Sequence, residues 1–144
     1  MTNSTHSLSR YQRQLSLPHF GETAQLALQQ ARVLVVGAGG LGCPCLQYLV
    51  AAGVGHIGIA DGDAIQESNL HRQLLYTPQE IGKQKSIAAA EKLTLQNPSC
   101  HIQTYSHITV NNIEDILSQY DLVVDCSDNF PIRYLINDAC VLAK

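Results

Sequence analysis

The stretch that decides the fold is Arg32-Val33-Leu34-Val35-Val36, followed at once by Gly37-Ala38-Gly39-Gly40-Leu41-Gly42. Its first part is short, apolar and rich in β-branched residues, which indicates a buried strand of a parallel sheet. Its second part fits the pattern GxGxxG and opens a segment that predicts a helix up to Ala52, closed by Gly53. Glycines at such a junction let backbone N–H groups approach a phosphate at a helix N-terminus. We therefore predict a nucleotide-binding strand–loop–helix unit.

The rest of the chain repeats this alternation of short apolar runs and helical segments. Strands are predicted over residues 56–60, 101–106 and 121–125, and helices over residues 22–30, 82–96, 111–118 and 130–143. Strands that alternate with helices predict an α/β, Rossmann-like, mostly parallel sheet with helices on both faces and an N-terminal helical lead-in. Ligands bind such sheets at the carboxyl ends of the strands, so we expect functional residues just after Val36, Ala60 and Val124.

The predicted helix over residues 82–96 carries two further expectations. Its buried side is expected to hold Ile87, Leu93 and Leu95 with Ala89 or Ala90, and Asn97-Pro98 is expected to end it. Lysines near a helix start are not favoured by the helix dipole, so Lys83 and Lys85 indicate an anion nearby. For Lys83 the simpler interpretation is a solvated side chain.

Composition excludes several classes of protein. The 144 residues suit one domain, and 45% of them are hydrophobic, as is ordinary for a globular chain. Charged residues make up 15%, below the usual share of about 25%, which indicates surface covered by a partner or by a larger protein. A net charge of −3 argues against nucleic-acid binding. The apolar runs are too short for a membrane span and the N-terminus is no secretory signal, so we expect a cytoplasmic protein.

The five cysteines, Cys43, Cys45, Cys100, Cys126 and Cys140, show no disulfide or zinc pattern. Their number is odd and no two have CxxC spacing. We interpret them as small buried apolar residues.

Polar residues gather after the predicted strands, each with a structural alternative. Asp61 suits a ribose hydroxyl pair, whereas Asp63 suits a turn or a cap. The side chains of Asn69 and Arg72 suit binding of a phosphate, and the alternative for each is an ordinary solvent-exposed residue. Asp128 suits magnesium or a helix N-cap. The last candidate, Arg13, lies outside the core and is either a surface residue or an arginine that reaches an anion in a neighbouring subunit.

Taken together, these segments resemble the MoeB/ThiF family, bacterial relatives of ubiquitin-activating enzymes. The matching segments appear in the family's order: RYQRQ (residues 10–14), GAGGLG (37–42), the aspartate of IADGD (Asp61), SNLHRQ (68–73), the lysine after IGKQ (Lys85), NP (97–98) and DCSDN (125–129). The resemblance implies residues 1–9 as a flexible tail and residues 10–144 as an ATP-binding Rossmann-like domain.

The resemblance also implies a reaction, which is adenylation of the C-terminal glycine of a ubiquitin-like sulfur carrier protein for molybdopterin or thiamin biosynthesis. ATP would lie over Gly39 and Gly40, with its ribose on Asp61 and magnesium on Asp128. Arg13 would come from the other protomer of a homodimer. The implied phosphate and nucleotide contacts are completed by Gly37, Gly42, Ser68, Asn69, Arg72, Gln73, Lys85 and Asn129. Arg13, Arg72, Lys85 and Asp128 would be the catalytic residues.

Family members continue beyond the point where this chain ends, so the resemblance implies a truncated form. Zinc is expected only in that further part, where the family carries CxxC pairs. Two other interpretations stay open. One is an NAD-dependent oxidoreductase, which the glycine loop and Asp61 would also suit; the other is a nucleotide-binding or dimerisation module without catalysis.

Overall fold

The computed structural model describes residues 8–143, which form one four-stranded sheet surrounded by helices. The strands are β1 (Arg32–Val36), β2 (His56–Ala60), β3 (His101–Tyr105) and β4 (Leu122–Asp125). All pairings are parallel, in the order β3-β2-β1-β4. The chain runs outward from β1 to β3 and then returns to the other side of β1. The strand order therefore reverses beside β1, where open α/β sheets bind ligands.

Helices with bounds inside the described residues accompany the sheet. They are α1 (Gln12–Leu15), α2 (Gly21–Gln30), α3 (Gly42–Ala52), α4 (Lys85–Gln96), α5 (Ile113–Leu117) and α6 (Phe130–Ala143), with short 3₁₀ turns at Glu67–Asn69 and Pro78–Glu80. This arrangement confirms the predicted α/β, Rossmann-like sheet with its helical lead-in. Among the described residues, no helix is long and apolar enough to cross a membrane.

Alternate residues of the strands build a separate core on each face of the sheet. Val33 and Val35 of β1 pack with residues of α3 and α4, including Leu46 and Leu93. Leu34 and Val36 point the other way and pack with residues of α5 and α6. Since successive side chains of a strand point to opposite faces, one β-branched run serves both cores. The helices thus lie on both faces, as predicted.

Helix α4 begins at Lys85, not at Gly82 as predicted. Gly82 has a φ of +89°, which is left-handed, and its N–H donates to Ile65 O at 2.9 Å. The Lys83 carbonyl accepts from Ile65 N at 2.9 Å, and Ala64 pairs with Gln84 as an isolated antiparallel bridge. These contacts hold residues 82–84 in a non-helical conformation against Ala64 and Ile65, so the helix starts after them.

The predicted buried side of α4 is also partly wrong. Leu93 and Ala89 are fully buried as expected, but Ile87 is 38% exposed and Leu95 is 82% exposed. Ser86 and Ala88 take the inner positions because small residues let α4 lie close to the sheet. Asn97 does end the helix, with an extended φ of −142°.

The lead-in docks at the end of the sheet away from the glycine loop. The buried Tyr11 hydroxyl accepts a hydrogen bond from Asn97 Nδ2 at 2.9 Å. Gln14 and Gln25 donate to the Ala52 carbonyl at 2.8 and 3.1 Å. Asn97 and Ala52 lie at the C-terminal ends of α4 and α3, which in a parallel α/β sheet is the end where strands begin. This placement decides where Arg13 can act.

Two expectations concern parts of the chain away from the sheet. Most of the predicted tail, residues 1–7, lies outside the described residues, and the domain boundary stays a prediction. All five cysteines are free. Cys43 and Cys100 are buried as expected, whereas Cys140 is exposed, contrary to the expectation, because it lies on the outer side of α6.

Candidate nucleotide site

A cavity of about 520 Å³ opens at the carboxyl ends of the strands, beside β1. Its wall is formed by the glycine loop after β1, by residues 61–63 after β2, by residues 106–108 after β3 and by residues 126–129 after β4. Parallel strands end at one edge of a sheet, so segments far apart in sequence meet here. Of the predicted site residues, the cavity is lined by Gly37, Gly39, Gly40, Asp61, Arg72, Gln73, Lys85, Asp128 and Asn129.

Two glycines of the loop are required by close backbone approaches. Gly37 has a φ of +96°, and a Cβ there would lie 2.6 Å from the Cys126 carbonyl oxygen. A Cβ on Gly42 would overlap the Gly37 carbonyl oxygen. Gly42 does not line the cavity; its role is to let α3 start directly against the loop. The loop therefore keeps its shape only with glycine at both positions.

Asp61 connects the glycine loop to the end of β2. Its Oδ2 accepts from Ala38 N at 2.8 Å and its Oδ1 accepts from Asp63 N at 2.9 Å. A carboxylate has about four lone-pair sites, so both oxygens keep capacity for a ligand hydroxyl. Asp61 thus holds the loop in place and still faces the cavity.

Tyr76 supports the same loop from beneath. Its buried hydroxyl donates to the Ala38 carbonyl at 2.7 Å, and the thiol of Cys43 lies 3.4 Å from that oxygen. Burial raises the pKa of Tyr76 far above its ordinary value. Burial likewise raises the pKa of Cys43. Both groups are protonated at neutral pH, so they act as hydrogen-bond donors rather than as charges or nucleophiles.

Lys85 is the buried cation of the site. The residue is 6% exposed, its ammonium lies 3.1 Å from Asp63 Oδ2, and its N–H donates to Asp63 O at 2.9 Å. Asp63 is therefore the partner of Lys85 rather than a cap. Lys83 turns away from the cavity and forms an ion pair with Glu91.

Arg72 and Gln73 form the wall beside the glycine loop. The Arg72 side chain covers Gly40, where a Cβ would lie 3.4 Å from Arg72 Cδ. Gln73 is 3% exposed, and among the described residues its Oε1 has no hydrogen-bond partner. A buried acceptor without a donor is costly, so this oxygen is suited to a ligand or an ordered water.

Ser68 and Asn69 do not line the cavity. The Asn69 carbonyl accepts from the N–H groups of Arg72 and Gln73, at 3.1 and 3.0 Å. The Ser68 carbonyl accepts from Arg72 Nη1 at 3.4 Å. In this structure the two residues therefore position Arg72 and Gln73. Their predicted direct contact with phosphate stays a prediction.

Asp128 faces the cavity from the end of β4. The N-cap of α6 is Asn129, whose Oδ1 accepts from Ile132 N at 3.0 Å, so Asp128 is not needed as the cap. Asp128 is exposed and, within residues 8–143, its carboxylate accepts no hydrogen bond. One carboxylate beside a phosphate site is a donor set that Mg²⁺ uses, with phosphate oxygens and waters as its other ligands. Elsewhere in the described chain, no three His, Cys, Asp or Glu side chains come together as a metal site.

Cys126 also lines the cavity but carries no charge at neutral pH. Burial raises its pKa to about 11, and the neighbouring Cys45 adds to the shift. A thiol in this state is a poor nucleophile. The chemistry of the cavity therefore rests on its cations and carboxylates.

Sequence reasoning missed the end of β3. Ser106, His107 and Ile108 line the cavity there. The rule that ligands lie at strand ends identifies them once it is applied to Tyr105, the last residue of β3. Arg13, by contrast, is exposed on α1 and does not reach this cavity within its own chain.

A glycine loop, an aspartate at the end of β2, a buried lysine and a free carboxylate around one cavity agree with the match to the ThiF family model, which extends over residues 11–144. This chain belongs to the ThiF family. A sulfur carrier protein adenylyltransferase from Thermus thermophilus is 53% identical over 136 residues, which cover 94% of this chain and 50% of that protein. An adenylyltransferase and sulfurtransferase MOCS3 from Drosophila willistoni is 51% identical over 95% of this chain and 30% of its own length. The ThiF chain described here thus spans half or less of the curated relatives it matches.

Solved structures of two other proteins share the fold. The E. coli tRNA N6-threonylcarbamoyladenosine dehydratase TcdA, solved with ATP, has a TM-score of 0.90 and 26% identity, covering 99% of this chain and 58% of TcdA. The same protein solved with AMP gives a TM-score of 0.91. E. coli MccB, solved with MccA-N7isoASN, gives a TM-score of 0.77 with 27% identity over 99% of this chain and 42% of MccB.

Proposed function

We propose that this chain binds ATP and adenylates the C-terminal glycine carboxylate of a ubiquitin-like sulfur carrier protein. The observation that carries the proposal is the convergence of Arg72, Lys85 and Asp128 around the glycine loop. A dinucleotide of a dehydrogenase needs only its two phosphates held, largely by backbone N–H groups. The additional cations suit a triphosphate from which pyrophosphate departs. The names of the relatives and the ATP and AMP complexes of TcdA support this choice.

The residue types match the chemistry of adenylation. A C-terminal carboxylate is ionised at neutral pH, so no general base is needed. One of its oxygens bonds to the α-phosphorus while the bond from that phosphorus to the bridging oxygen breaks, and pyrophosphate leaves with the electron pair. Lys85 and Arg72 stabilise the charge that develops on the phosphate oxygens, and Asp61 orients the ribose. The products are an acyl adenylate and pyrophosphate.

Magnesium fits this proposal through Asp128, whose carboxylate is free on the cavity wall. When bound, the ion would neutralise phosphate charge. Asn129, which caps α6, fixes the backbone from which Asp128 projects.

The finer parts of the proposal are the dimer and the pathway. We place Arg13 in the site of a partner protomer in a homodimer, because α1 packs at the other end of its own sheet. For the pathway we propose molybdopterin or thiamin biosynthesis, the two branches that the family resemblance implies, because the motifs of this chain are common to both.

The test is exchange of labelled pyrophosphate into ATP, measured with and without a sulfur carrier protein. We expect exchange that depends on the carrier and is lost when its terminal glycine is deleted. Binding of NAD without any exchange would contradict the proposal and favour an oxidoreductase. Binding of ATP with no exchange for any carrier would contradict it in favour of a module without catalysis.

A further inference from the structure

At the edge of the cavity, the His107 side chain lies directly against Gly62, where the side chain of any other residue would be. Gly62 follows Asp61 after β2, and His107 lies in the segment after β3. A Cβ on Gly62 would fall within the His107 imidazole, closest to its Cε1, Nε2 and Nδ1 atoms. Gly62 does not have a left-handed φ, so its backbone would accept another residue. In this position of the ring, the His107 imidazole fills the place that a side chain at residue 62 would take, so the ring can lie here only beside glycine or after moving.

The backbone that carries His107 is fixed. Asn112 Nδ2 donates to the His107 carbonyl at 2.9 Å, and Asn112 Oδ1 accepts from Thr109 N at 2.8 Å. The next residue, Ile108, is buried in the core between the sheet and helices α5 and α6. Residues 107–109 are therefore held from both sides, while the His107 side chain itself remains exposed and lines the cavity.

The order of the strands places His107 at the base end of the site. The glycine loop follows β1, Asp61 follows β2, and His107 follows β3, in that spatial sequence across the sheet. A nucleotide with phosphates on the glycine loop and ribose on Asp61 extends its base further in the same direction. Ala60 and Ile108 add apolar lining there. The base then meets the flat face or edge of an imidazole.

We infer that His107 packs its imidazole against the base of the bound nucleotide, and that Gly62 is glycine to make room for this ring. The inference rests on the proposed function for the choice of ATP as ligand. According to this inference, His107 contacts the base and contributes to the affinity for the nucleotide. It takes no part in the shape of the glycine loop or in the contacts with the phosphates. Truncation to alanine of an aromatic side chain that stacks on a base typically lowers affinity by about 5- to 150-fold.

The experiment compares ATP with inorganic tripolyphosphate, which has the phosphates but neither the ribose nor the base. Affinities of ATP and inorganic tripolyphosphate are measured by calorimetry for the wild-type chain and for His107→Ala, His107→Phe and Gly62→Ala. We expect His107→Ala to lose at least about 5-fold in ATP affinity, with tripolyphosphate affinity unchanged. His107→Phe keeps a flat ring and should keep most of the affinity. The matched control is His101→Ala, an exposed histidine at the start of β3.

The Gly62 variant tests the pairing itself. Gly62→Ala should displace the imidazole and reproduce the loss of His107→Ala for ATP alone. The double variant Gly62→Ala/His107→Ala should be no worse than His107→Ala, because the new methyl group then has room. Additive losses, or equal losses for ATP and tripolyphosphate, would overturn the inference, as would unchanged ATP affinity in His107→Ala. Pyrophosphate exchange tests the reaction separately, so a protein that binds ATP through its base but catalyses no exchange would contradict the proposed function alone.

Discussion

Lys85 and Asp63 are joined twice, through their side chains at 3.1 Å and through their main chains at 2.9 Å. The Lys85 side chain is 7% exposed and that of Asp63 is 73% exposed. The lysine therefore presents a desolvated charge to the cavity, while the aspartate holds it from the solvent side. The main-chain bond fixes where helix α4 begins, so the start of the helix and the position of the charge are set together.

Replacing Lys85 should remove catalysis with little effect on the fold. In Lys85→Met the alkyl stem still fills the buried position, but the charge near the phosphates is gone. We expect carrier-dependent exchange to fall by about 100-fold or more, the size typical of a lost preorganised electrostatic contact. Asp63→Asn keeps a hydrogen-bond partner without its charge, so the loss of exchange should be smaller than in Lys85→Met.

The matched control is Lys83→Met, two residues earlier. Lys83 pairs with Glu91 away from the cavity, so exchange should stay within about 2-fold of the wild-type rate, the small effect expected of a surface ion pair. Equal losses in Lys83→Met and Lys85→Met would show that net charge matters rather than position, and would contradict the assignment of Lys85.

Substitutions at Gly42 and Gly39 should have different effects, the first on stability and the second on ATP binding. In Gly42→Ala the new Cβ overlaps the Gly37 carbonyl oxygen, so the free energy of unfolding should fall by about 1–3 kcal/mol. In Gly39→Ala the nearest atom, Gln73 Nε2, lies 3.4 Å away, so stability should hold while the methyl group obstructs phosphate binding. Urea unfolding and ATP titration of both variants check this. A Gly39→Ala chain as unstable as Gly42→Ala would contradict the geometry.

The general outline of this site could be predicted because parallel strands end at one edge. Gly39, Asp61, Lys85 and Asp128 are distant in sequence, yet the rule for strand ends brings them together, and they line one cavity. The sequence motifs identified these residues as candidates, and the alternation of strands and helices predicted that they lie together at one edge of the sheet.

Other features depend on contacts that no local pattern carries. The start of α4 is set by the pairing of Ala64 with Gln84, which overrides the helical pattern of residues 82–84. The outward position of Leu95 follows from how closely small residues pack α4 against the sheet. The fit of His107 over Gly62 is a match of shapes between segments after two different strands.

His56 should make stability depend on pH. Its ring lies beside His101 on the neighbouring strand, with centroids 5.8 Å apart, and its Nδ1 is buried without a partner among the described residues. Burial lowers the pKa of His56, and the positive charges of Arg32 and His101 lower it further, against a smaller opposing effect of Asp121. In the folded state His56 therefore binds a proton less readily than in the unfolded chain, where its pKa is about 6.5.

The sign follows from proton uptake. As pH falls through about 6.5 toward the lower folded pKa, the unfolded state binds more protons, so stability declines, and it levels off below the folded value. We expect the melting temperature to fall between pH 7.5 and 5.5, and the fall to be smaller in His56→Gln. His71→Gln, an exposed histidine outside this cluster, is the control. An unchanged slope in His56→Gln would show that other groups cause the decline.

Arg13 should act only across a dimer. It lies on α1, whose neighbour Gln14 is bound to the Ala52 carbonyl at the end of the sheet opposite the glycine loop. If each site combines Arg72 of one protomer with Arg13 of the other, an Arg13→Ala protomer paired with an Arg72→Ala protomer has one intact site. Each variant alone should be nearly inactive in exchange. In a co-refolded equal mixture about half of the dimers are mixed and each of these has one intact site of two, so about a quarter of wild-type activity should return.

The control mixes Arg72→Ala with Arg13→Ala/Arg72→Ala, which leaves no site with Arg72 and should restore no activity. Recovery in that control, or none in the first mixture, would contradict a site shared between protomers.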